Sequence, residues 1–159
     1  MNKRFVKRLL VFFTVLCMTM AMTVPALAAG SGTNATTDDP ANGILQVMLA
    51  YVDDGGNRTY FSAGTCFMVN EEYVVTNKHV FDLDTTDSDG VTLRDTILET
   101  MGLKSLKTND THLKLYVFAN RDTNVEATVD ANAQSEELDF AALKLSRKIS
   151  GRQSLVLGD

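Results

Sequence analysis

The chain has 159 residues, 45% of them hydrophobic, with 15 Lys and Arg against 20 Asp and Glu and a net charge of −5. That is the length of one domain with enough apolar material for a core. An acidic balance with no basic cluster beyond the first eight residues argues against nucleic acid or an anionic membrane surface as the main partner, because both reward clustered Lys and Arg.

Residues 1–28 have the order of a secretory signal peptide: Lys3, Arg4, Lys7 and Arg8, an apolar run, then small residues ending at Ala28 and Ala29. A spanning helix needs about 20 apolar residues, and Thr14, Thr19 and Thr23 interrupt this run. The pattern predicts cleavage after Ala28 or Ala29, no stable membrane anchor, and a protein that is secreted or held in the cell envelope. Leu16 before Cys17 speaks against a lipoprotein, so Cys17 leaves with the signal. The signal carries four bases and no acid, so its loss takes the net charge from −5 to −9. Cys66 is then the one remaining cysteine, and no internal disulfide can form.

Residues 29–43 are built from Gly, Ser, Thr, Asn, Asp and Pro, a flexible leader. The domain proper is expected over 44–159. Residues 44–52 are apolar with β-formers and run into Asp53-Asp54-Gly55-Gly56-Asn57, a turn cluster before Arg58-Thr59-Tyr60-Phe61, which predicts a hairpin. Strands are expected next at 65–69 and 73–76 around Asn70-Glu71-Glu72. Residues 82–90 are polar and acidic, a surface loop. Over 91–101, Leu93, Ile97, Leu98 and Met101 fall on one helical stripe with Gly102 as its stop. Strands at 113–119 and 125–129 flank the turn at 120–124, and 140–145 is the last. The expectation is an all-β domain, an antiparallel barrel of six to seven strands with one inserted helix.

Two segments carry chemistry. Ser62-Ala63-Gly64-Thr65-Cys66-Phe67-Met68-Val69 precedes Tyr73-Val74-Val75-Thr76-Asn77-Lys78-His79-Val80, and further on comes Glu137-Leu138-Asp139-Phe140-Ala141-Ala142-Leu143-Lys144-Leu145. Together, and in this order, they resemble the bacterial trypsin-like serine peptidases, including the HtrA type, over roughly 44–159. The resemblance implies that His79 is the general base and Asp139 the residue that orients it. The underlying chemistry is general: an imidazole with a pKa near 6.5 takes a proton at neutral pH, and a carboxylate on its Nδ1 fixes the tautomer and stabilises the imidazolium.

The third member, a serine in a Gly-Asp/Asn-Ser-Gly-Gly setting, has no counterpart here. Ser62, Ser154 and Ser31 all lack that context. The resemblance implies that a second barrel supplies the nucleophile, the oxyanion hole and the specificity pocket. Residues 155–159, Leu-Val-Leu-Gly-Asp, are similar to the family's linker into that barrel. The expectation is therefore the first barrel of a secreted serine endopeptidase, inactive alone, acting with its missing C-terminal barrel on a protein or peptide substrate and without metal or cofactor. The alternative is a secreted non-catalytic binding module derived from such a barrel.

Other residues have plainer readings. Cys66 falls within a strand, where a free cysteine is a small buried hydrophobe rather than a nucleophile. His112, with Asp110 nearby, lacks zinc-site spacing and is expected at a surface or strand edge. The loop with Asp82, Asp84, Asp87 and Asp89 lacks the EF-hand order and is expected to be solvated. The Asn-x-Thr triplets at Asn34, Asn57 and Asn109 would accept glycans only in a eukaryotic secretory pathway.

Overall fold

The computed structural model describes residues 40–135 and 137–155. The expected signal peptide at 1–28 with Cys17, most of the expected leader with Ser31 and Asn34, and residues 156–159 lie outside them. Six strands form one closed antiparallel barrel: β1 (Ile44–Val52), β2 (Arg58–Asn70), β3 (Tyr73–Thr76), β4 (Leu113–Phe118), β5 (Asn124–Ser135) and β6 (Phe140–Leu145), in the order β1-β2-β3-β6-β5-β4 with β4 closing on β1. One helix, α1 (Leu93–Met101), lies between β3 and β4 in sequence. Among the described residues no helix is long and apolar enough to cross a membrane.

The period of two in β1 sets its inner face, with Leu45, Val47 and Leu49 buried and Ile44 and Gln46 exposed. Cys66 and Met68 of β2, Val74 of β3, Val117 of β4, Val125 of β5 and Leu143 of β6 complete the core, joined by Ile97 of α1. The helix follows the sequence reading with a later start. Thr92 stays extended and its hydroxyl accepts the N–H of Asp95, so the helix begins at Leu93 rather than Val91. Gly102, at φ 66°, ends it as expected.

The segments 58–61 and 65–69 are one strand, so the barrel has six strands and not seven. Ser62, Ala63 and Gly64 pair in register with Leu49, Met48 and Val47, and the one irregularity in the pairing of β2 with β1 is a bulge that leaves Phe61 as an extra residue between Tyr60 and Ser62. Gly64 is the small residue that this path requires. A Cβ there would stand 2.5 Å from Cγ2 of Val80, the residue after His79. Gly64→Ala is therefore expected to cost about 1–3 kcal/mol of stability through overpacking. Urea denaturation checks this, and Val80→Ala in the same chain should recover part of the loss.

β5 extends six residues beyond the expected 125–129, to Ser135. Its register with β6 breaks between Val129 and Gln134, and Asp130-Ala131-Asn132-Ala133 occupies the break. The acidic loop is fastened from within: carboxylates of Asp82 and Asp87 accept backbone N–H groups of Asp84, Asp89 and Val91. Leu83 nevertheless turns into the core. After β6 the chain runs back along the far end of β2, where Ile149 donates to the Glu71 carbonyl and Leu155 to that of Met68. The Arg152 guanidinium there binds Asn42 and the carbonyl of Ala119.

Candidate active site

Thr76, the last residue of β3, pairs with Ala141, the second of β6. The residues that leave β3 therefore lie beside those that enter β6, and His79 and Asp139 meet although 60 residues separate them. After Thr76 the chain turns through a short 3-10 helix, Lys78–Val80, anchored by buried Val80 against Gly64. Thr76 itself is buried, and its hydroxyl donates to the Thr65 carbonyl.

Asp139 grips His79 twice. Its Oδ2 is 2.6 Å from Nδ1 of the imidazole, and its Oδ1 accepts the backbone N–H of His79 at 2.8 Å. Asn77 adds a donor, with Nδ2 3.1 Å from Oδ2 and 3.2 Å from the Asp139 carbonyl. Asp139 has φ 44°, in the left-handed region, which Asp tolerates better than most residues. The hydrogen bonds from the His79 ring and backbone hold its carboxyl below the usual carboxylate range. The carboxyl is thus ionised at neutral pH and can only accept, so the proton of a neutral His79 sits on Nδ1 and the lone pair on Nε2. Nε2 makes no hydrogen bond among the described residues, and the side chain is 58% exposed. This is an exposed imidazole oriented by a carboxylate on its Nδ1, an arrangement able to take and return a proton through Nε2.

The other expected residues fall elsewhere. Cys66 is fully buried, and burial pushes its thiol up to about 12, so no thiolate forms at neutral pH. Iodoacetamide should leave it unmodified in the folded protein, as mass spectrometry would show. Ser62 lies within β2 opposite Leu49, and neither it nor Ser154 bonds the His79 ring. Ser31 lies outside the described residues. A pocket of about 410 Å³, lined by Leu49, Phe81, Asp110, Leu115 and Val129 among others, includes neither His79 nor Asp139. The pair stands on open surface.

His112 is more than a strand-edge residue. Its Nδ1 is 2.9 Å from Oδ1 of Asp110, its Nε2 is 3.2 Å from Oδ1 of Asp54, and its ring stacks on Tyr51 at 5.2 Å. With a carboxylate on each nitrogen, both must donate. The two hydrogen bonds, that of Asp110 first, raise its pKa, and this histidine is unsuited to act as a base. The sign follows from linkage. Stabilisation by His112 is fully present below its unfolded pKa of about 6.5 and is lost as pH rises through the higher folded value. His112→Gln should therefore flatten the fall in urea midpoint between mildly acidic and alkaline buffer.

Asn77 was legible only as part of the Thr-Asn-x-His motif, and Asp54 only as a turn residue; neither contact has a local sequence signal. Compared with known proteins, the chain matches no protein-family model and no curated protein.

Proposed function

We propose that this barrel supplies the general base, His79, and its orienting carboxylate, Asp139, to a secreted serine-type endopeptidase of the trypsin-like kind acting on protein or peptide substrates. The observation that carries the reading is the 2.6 Å contact from Asp139 to His79 Nδ1 on a largely exposed histidine side chain. In such an enzyme Nε2 removes the proton of a serine hydroxyl as it attacks the scissile carbonyl, and returns it to the leaving amine. The serine and its oxyanion donors would come from a second barrel. Exposed Leu138 and Phe140, on either side of Asp139, favour a site that further protein covers. Export rests on residues 1–28.

The second reading, a secreted non-catalytic module, is favoured by the lack of any serine on the His79 ring among the described residues. One experiment separates the two. The gene is read beyond the codon for Asp159 for an in-frame Gly-x-Ser-Gly within about 100–150 codons, one domain's length, and the encoded protein is assayed on casein. Hydrolysis that a fluorophosphonate blocks and His79→Ala abolishes supports the peptidase. The lack of that motif, or hydrolysis indifferent to His79→Ala, refutes it and leaves the binding module.

A further inference from the structure

Asparagine at the residue before a helical turn ordinarily caps that turn with its own side-chain oxygen. Asn77 stands at this position before Lys78–Val80, in extended conformation at φ −75° and ψ 137°, yet its side chain makes no capping bond. The N–H that such a cap would take, that of His79, goes to Asp139 Oδ1 instead. The amide of Asn77 points across to β6, where Nδ2 meets Oδ2 and the backbone carbonyl of Asp139. Both partners are acceptors, which fixes the amide with its NH2 group toward Asp139. The same carbonyl also receives the Lys78 N–H at 3.4 Å.

We infer that Asn77 is a positioning residue for the His79–Asp139 pair: it holds the aspartate in its left-handed conformation and aims Oδ2 at the imidazole Nδ1. Asp139 caps the turn that carries the histidine, and Asn77 secures Asp139 from the near side. The consequence for chemistry rests on His79 acting as the base. The positioning itself does not, and it is measured on the isolated chain.

Oδ2 accepts from two donors, and these do different work. The Nδ1–H bond sets the tautomer. The Asn77 bond keeps the carboxylate from rotating about its Cβ–Cγ bond, which would take Oδ2 out of line with Nδ1. Without it, at an exposed site, water competes for Oδ2, and the neutral ring shares its proton between the two nitrogens. Asn77 thus acts on the basicity of Nε2 without touching it.

The test is nuclear magnetic resonance of the purified chain with 15N label. In the native protein the Asn77 side-chain amide signals should move with the titration of Asp139. Amide signals indifferent to that titration overturn the proposal without any variant. In Asn77→Ala the ratio of Nδ1–H to Nε2–H tautomer of His79 should fall by about tenfold, the effect of one hydrogen bond to a charged group. Asn77→Asp keeps the shape and loses the donor, and it should change the ratio in the same direction by at least as much. The His112 ring signals should stay in place in both, which marks an intact fold. Either variant folded with the native tautomer ratio refutes the role. Loss of casein hydrolysis in His79→Ala tests the peptidase reading alone, so the two can fail separately.

Discussion

Asp139→Asn is expected to lower kcat by about 10⁴-fold in the proposed peptidase, with a serine-bearing barrel supplied, the effect of the wrong histidine tautomer, with little change in fold. Asparagine accepts a φ of 44° as readily as aspartate does, so the backbone at the entry to β6 is kept. The hydrogen-bond pattern is not. With the new NH2 group at the place of Oδ2, it faces the NH2 of Asn77 and drives the His79 proton from Nδ1 to Nε2. With the oxygen there instead, the NH2 group faces the backbone N–H of His79. In both orientations a donor meets a donor. Steady-state hydrolysis of a peptide substrate, beside a thermal melt of the same variant, checks the two halves of this expectation. A variant with native kcat would remove Asp139 from the mechanism. In the native chain Asp139 also ties the stability of the pair to pH. The carboxyl lies below its ordinary value because His79 donates to it, so the stabilisation is present above the unfolded value of 3.8 and disappears through the lower folded one.

The largest stability effect is expected from Leu143→Ala. Leu143 is fully buried on β6, opposite Val74 of β3 and Val129 of β5. Truncating such a leucine costs about 2–5 kcal/mol, since the transfer energy of the lost methyl groups is joined by the cavity left behind. With a slope of about 1–3 kcal/mol/M for a small domain, the urea midpoint should drop by ~1–3 M. Phe140→Ala, three residues earlier on the same strand and pointing outward, should change stability by no more than about 0.5 kcal/mol. Equal midpoints for the two variants would mean that the inward face of β6 is assigned to the wrong residues.

The fold was legible where local pattern and burial agree. β1, β3 and β6 have the expected bounds because a clean run of apolar and β-branched residues is closed by turn residues at each end. Ser62-Ala63-Gly64 misled because small residues punctuate a chain in isolation, whereas here pairing with Val47, Met48 and Leu49 carries the strand through them. The far half of β5 was missed for the opposite reason: Asp130 to Gln134 alternates polar residues only with alanine and holds no β-branched or aromatic residue, so its strand character comes from its place in the barrel. At the site, His79 and Asp139 were visible through motif context, and the pairing of Thr76 with Ala141 explains why two distant motifs meet. Asn77 and Asp54 were invisible in their roles because each acts on a residue some 60 positions away, and nothing in a local window encodes such a contact.

That pairing also bears on timing. The hydrogen bond between His79 and Asp139 can form only after β6 has docked against β3, and β6 is the last strand in the chain. Contacts across such separations close late, once the loop entropy between them has been overcome. A chain still extended, or one stalled with five strands assembled, has a histidine and an aspartate but no oriented imidazole. The oriented imidazole is in this way made conditional on completed folding.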